Sequence, residues 1–96
     1  MSKSRFDILI EKKYKPARSN YYLGEIAYKK KQWSLAIKHY KISIGLYDKA
    51  DYTPRLLYHT AISFDKIGEK NSADKFYQVL KTKYPNSNEA KSSPNR

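Results

Sequence analysis

Two side chains with chemistry to offer recur at one fixed spacing. Arg18 stands three residues before Tyr21, and Arg55 three before Tyr58. Residues three apart share a helix face, so each pair would set a guanidinium fork for carboxylates beside an aromatic plate. On the same side of the helix fall Glu25, Tyr28 and Lys29 in the first copy, and Ile62, Asp65 and Lys66 in the second. Arginine beside exposed aromatic rings is the residue combination that dominates protein interfaces, so the expected chemistry is recognition of a protein segment.

Other constellations carry less. Lys29-Lys30-Lys31 and the cluster Lys12, Lys13, Lys15 could meet phosphates. Lysines at a helix end also complement its dipole, and no nucleic-acid-binding motif accompanies these. His39 and His59 fall on different helical segments, and neither has a carboxylate three or four residues on, as a zinc or acid–base site would use. No glycine-rich phosphate loop or nucleophile elbow is present. The expectation is a non-enzymatic protein with no cofactor and no metal. Trp33, at a turn, is expected to pack rather than to plate a ligand.

The 96 residues suffice for one domain. Twenty Lys and Arg against nine Asp and Glu leave a formal charge of +11, which favours acidic partners. Ten tyrosines make the chain unusually aromatic, and the absence of cysteine excludes disulfides and thiolate metal sites. No run approaches the roughly 18 apolar residues of a membrane span, and the first residues lack the uninterrupted apolar stretch of a signal peptide.

The elements that position the Arg–Tyr pairs follow from an internal repeat. Shifted by 37 residues, Arg18, Tyr21, Lys29, Ala36 and Tyr40 fall on Arg55, Tyr58, Lys66, Ala73 and Tyr77, and Gly24 on Ala61. Such self-similarity marks an array of paired helices. Asn20, Leu23, Gly24 and Ala27 recur at helical spacing over residues 17–30, and Ala36, Ile37, Tyr40 and Ile44 over 33–46. The two stripes are out of phase across residues 29–32, which predicts a hairpin. A second hairpin is expected from Thr53 as N-cap and Pro54 as first helical residue, with a left-handed Gly68 at the turn, Asn71 or Ser72 as the next cap, and Pro85 as the stop. The small residues Gly24, Ala36, Ala61 and Ala73 should let the helices approach closely. The predicted fold is all-α, an array of antiparallel hairpins of about five helices.

Leu23-Gly24, Trp33, Ala36 and Tyr40, then Ala61, Phe64, Gly68, Ala73, Tyr77 and Pro85, resemble tetratricopeptide repeats over residues 17–85. Departures stand at Ala27, where an aromatic is usual, and at Thr60, where an apolar residue is. That resemblance implies a right-handed superhelix whose first helices line a concave face, and it puts the ten partner-binding candidates in a basic, Tyr-lined groove. The stretch "YYLGEIAYKKKQW" and the ending "ADKFYQVLKTKYPNSNEAK" are similar to the C-terminal domain of the YbgF/CpoB family of Tol-Pal-associated periplasmic proteins. This likeness implies a periplasmic setting and partners among Tol-Pal or peptidoglycan-synthesis proteins. The alternative is a cytoplasmic helical module, either nucleic-acid-associated through its lysines or a secretion chaperone.

The domain layout that follows has four parts. Residues 1–16 form the second helix of a truncated earlier repeat, 17–50 and 51–85 are the two hairpins, and 86–96 are a frayed tail or helix stub. Phe6, Leu9 and Ile10 would then lack a natural partner helix, so another chain or an exchanged helix should cover them.

Overall fold

The computed structural model describes residues 5–95, with side chains from Lys12 onward, so the expectation for Phe6, Leu9 and Ile10 lies outside the described side chains. Five helices follow in order: α1 (Arg5–Lys29), α2 (Trp33–Leu46), α3 (Thr53–Lys66), α4 (Lys70–Lys83) and α5 (Asn88–Ser92). There is no strand among the described residues. Helices α1 and α2 pair as one hairpin, α3 and α4 as the next, with α3 laid against α2. The array of hairpins anticipated from the repeat is the fold.

Small residues make the seams. Ala36, Ala61 and Ala73 are completely buried. Gly24 fits because the Tyr40 ring crosses it: a Cβ there would sit 2.6 Å from two ring carbons. Burial of Tyr21, Ala27, Ala36, Tyr40 and Leu56 closes the first core, and Ile37, Ala61, Phe64, Ala73 and Tyr77 close the second.

The two hairpin turns are built alike, residue for residue. Lys31 N–H donates to Tyr28 O and Gln32 N–H to Ala27 O, at 3.0 and 2.9 Å; Gly68 N–H donates to Asp65 O and Glu69 N–H to Phe64 O, at 3.1 and 2.9 Å. Both are Schellman closures around a left-handed residue. The second copy uses Gly68 (φ +84°) for it, and the first forces Lys31 (φ +59°) into the same conformation.

Three local expectations change. First, no break separates residues 5–16 from the first hairpin: α1 runs on through Pro16. Pro16 is exposed, so the carbonyl that loses its partner four residues earlier opens to water, and Asn20 Nδ2 donates to Pro16 O at 2.9 Å. Second, Leu23, expected on the packing stripe, is 47% exposed, because the Gly24 side of α1 faces α2. Third, α3 and α4 start without side-chain caps. Thr53 Oγ1 accepts instead from Ala50 N–H of the preceding loop, and α4 begins at Lys70, ahead of Asn71 and Ser72. The tail carries the short helix α5, capped by Ser87 Oγ accepting from Ala90 N–H, with Ala90 buried against Leu57 and Leu80.

Thr60 is completely buried and satisfied, its hydroxyl donating to Leu56 O at 2.6 Å. No described helix is long and apolar enough to cross a membrane.

Candidate functional site

The cleft lies where α1, the loop before α3, and α3 meet. One part, of about 370 Å³, is lined by Tyr14, Arg18, Tyr21, Tyr22, Asp51, Tyr52 and Arg55. It continues past Arg55 and Pro54 to Glu89, and then along Tyr58 and His59 to Asn88 and Ser92 of α5. Arg55 borders all three, which lie side by side from α1 to α5 and together make up the trough.

Its wall is a column of tyrosines. Tyr21 and Tyr52 stack with centroids 4.1 Å apart and planes 9° from parallel. Tyr14 stands 6.4 Å from Tyr52 and meets Tyr47 edge-on at 5.5 Å. Tyr52 belongs to the extra residues between the two hairpins. The lengthened connection therefore supplies a ring that stacks on the first helix.

The predicted i, i+3 pairs are not the pairs that form. Tyr21 is 5% exposed, turned into the seam by the Tyr52 stack and by its hydroxyl, which donates to Glu25 Oε1 at 2.6 Å. Arg18, fully exposed, takes the next residue instead: its guanidinium lies 5.4 Å from the Tyr22 ring centroid. Arg55 interacts with Tyr21 on the neighbouring helix, and this proximity raises its guanidinium above the ordinary value. Two arginines from equivalent positions thus border one Tyr21–Tyr52 wall, rather than each owning a ring. Tyr58 borders the trough beside His59, 6.1 Å between ring centroids.

Glu25 and Tyr28 are committed to the fold. Glu25 Oε2 accepts from the Tyr40 hydroxyl and lies against His59 Nδ1, each at 2.7 Å, while Oε1 accepts from Tyr21. Burial pushes the carboxyl upward, but hydrogen bonds from His59, Tyr21 and Tyr40 overcome it and hold the group at about 2. Tyr40 and Tyr21 are both pushed upward, by burial first and by their bond to Glu25 second. Tyr28 stacks flat on His59, centroids 4.1 Å apart. With its oxygens occupied by three donors, Glu25 is a stabilised anion and a poor proton acceptor. Among the described residues no three His, Asp or Glu side chains converge as a metal site would need.

The remaining candidates sit elsewhere. Ile62 packs on the second core, and Asp65 Oδ2 accepts from the Tyr77 hydroxyl at 3.2 Å. Lys66 Nζ lies 5.9 Å from the Trp33 ring centroid, and Trp33 meets Tyr28 edge-on at 5.4 Å, so Trp33 closes the end of the first hairpin. Lys29 is exposed at the end of α1. The structure brings Arg18, Tyr21, Arg55 and Tyr58 to one trough and leaves Lys29, Ile62, Asp65 and Lys66 outside it.

Sequence reasoning missed Tyr14, Asp51, Tyr52 and Glu89 as lining residues, and His59 as Glu25's partner. Asp51 and Tyr52 left a trace, in the residues by which the repeat exceeds its usual length. Asp51 and Glu89 also make the trough mixed in charge rather than uniformly basic. No curated protein and no solved structure matches the chain. Residues 55–87, most of the second hairpin and the turn that follows, match the family model of the tetratricopeptide repeat, a repeat that mediates protein–protein interaction.

Proposed function

We propose that the trough holds an extended segment of another protein, gripped at two points by Arg18 and Arg55 and laid along the Tyr21–Tyr52 wall. The observation that carries this is the convergence of both arginines, one from each hairpin, on one tyrosine-lined surface. Guanidinium forks recognise carboxylates in two-point geometry, and an aromatic wall gives contact area at little entropic cost. Asp51 and Glu89 beside Arg55 set register: a ligand carboxylate fits at the arginines and is repelled one step away. The reading is non-enzymatic. Its setting, the bacterial envelope with Tol-Pal or peptidoglycan-synthesis partners, is supported by the sequence likeness described above.

The test is capture from an envelope extract by wild type, by Arg18→Glu with Arg55→Glu, and by Lys13→Glu with Lys29→Glu, two exposed lysines outside the trough. The trough predicts a partner lost only with the first pair. Equal capture by all three proteins would contradict it. Binding of a DNA oligonucleotide with a steep salt slope, in place of any protein, would favour the nucleic-acid alternative.

A further inference from the structure

The internal repeat gives α1 a face that the fold leaves uncovered. Shifting by 37 residues places Ser19, Leu23 and Ile26 of α1 on Leu56, Thr60 and Ser63 of α3. In α3 those three are at most 1% exposed, turned toward the first hairpin, where Leu56 packs with Ala36 and Tyr40 of α2. In α1 the equivalent strip is open: Leu23 is 47% and Ile26 52% exposed, with Tyr22 beside them at 50%. At two of the three positions α3 has small polar residues, Thr60 and Ser63, under a helix of its own chain, where α1 carries Leu23 and Ile26 facing solvent. At the third the order is reversed, Leu56 in α3 against Ser19 in α1.

At 100° per residue, Lys12 and Lys30 lie on this same strip, one toward each end, and both are exposed. The strip is therefore an apolar centre flanked by cations. A second copy brought against it in antiparallel fashion would set lysine opposite lysine, on a chain already at +11. At the other end of the array the corresponding face is closed, since α5 docks on α3 and α4 through Ala90. Among the described residues the most exposed large apolar side chains, Tyr22, Leu23 and Ile26, all stand on α1.

We propose that the outer face of α1 docks an acidic amphipathic helix of another polypeptide, seated as α2 is seated on α3. Its apolar side covers Leu23 and Ile26, and carboxylates at both ends meet Lys12 and Lys30. This surface adjoins the trough along Tyr22, which borders both, but its apolar centre at Leu23 and Ile26 lies outside the trough lining.

A stapled peptide with the α2 sequence (residues 33–46) extended by two glutamates at each end, 18 residues and so about as long as the Lys12–Lys30 span, is the probe, with the unextended α2 sequence as control. Binding to the full chain is read by fluorescence anisotropy at two salt concentrations. The acidic peptide should bind at least about tenfold tighter than the control, and more weakly at high salt. Leu23→Ser with Ile26→Ser should abolish binding without lowering the melting temperature, because both residues are exposed. Arg55→Glu, in the trough but on α3, should leave it unchanged. Equal binding of both peptides, or unaltered binding by the Leu23→Ser, Ile26→Ser variant, would overturn the proposal. So would self-association of the chain in sedimentation that this variant removes, which would assign the face to a second copy.

Discussion

Glu25 ties three helices together, through Tyr21 on its own helix, Tyr40 of α2 and His59 of α3. A carboxylate held at about 2 in the folded chain, against an ordinary 4.5, favours the fold at every pH above 4.5. That contribution fades as pH falls from 4.5 toward 2, where folded and unfolded chains both become protonated. Glu25→Gln should therefore cost on the order of 1–3 kcal/mol at neutral pH. Urea unfolding of the two proteins should show the gap narrowing between pH 4.5 and 2, and a gap independent of pH would contradict the hydrogen-bonded anion. Gly24 makes a sharper single-residue case. Gly24→Ala gains helix propensity of about 1 kcal/mol but drives a methyl into the Tyr40 ring, which is itself fixed by Glu25. The clash should win by roughly 1–2 kcal/mol net, and a raised melting temperature would show that the ring yields. Spacing alone made Gly24 and Ala36 visible as seam residues. It could not show the Glu25 hub, because Glu25, Tyr40 and His59 are brought together by packing and share no periodicity. It misplaced Tyr21 for a related reason: a stacking partner arriving from the inter-hairpin loop turned that ring inward.

The helices and their turns carry the clearest sequence signal. The 37-residue repeat is reproduced down to the backbone bonds of the two Schellman closures, and Gly68 announced its turn. Lys31 did not, since no propensity rule points to a lysine at positive φ. Lys31→Gly should relieve that conformation and raise stability by about 0.5–1 kcal/mol, whereas Lys30→Gly, in the same turn without positive φ, should not. Melting both variants settles the comparison. Seam packing is tested by Ala36→Leu, which should cost about 1–3 kcal/mol, against Lys38→Leu on the exposed side, which should change little. Equal melting of the two would contradict the hairpin. The boundary at residue 16 misled because proline usually ends a helix. Here its solvent-facing position leaves the broken bond to water, and α1 continues.

At the scale of the whole described molecule, two hairpins and a short closing helix present a trough and, next to it along α1, an uncovered apolar strip. The strong positive charge made acidic partners foreseeable, but not where they meet the protein, because most of the lysines are spread over the exposed helix faces. Acidic residues entered the trough from the inter-hairpin loop and from α5, whose position depends on Ala90 docking beneath Leu57 and Leu80. A two-point grip predicts that each arginine carries a separable share of affinity, on the order of 1.5–3 kcal/mol where the ligand buries the contact, with little coupling between them. The most direct test is an amide and side-chain NMR titration of the labelled chain with a partner recovered from the envelope extract, repeated for Arg18→Glu and Arg55→Glu. Shifts should gather at Arg18, Tyr21, Tyr52, Arg55 and Tyr58, and each charge reversal should weaken binding with the fold intact. Shifts confined to the exposed lysines or to Leu23 and Ile26, with both variants binding as wild type does, would contradict the trough as the binding site.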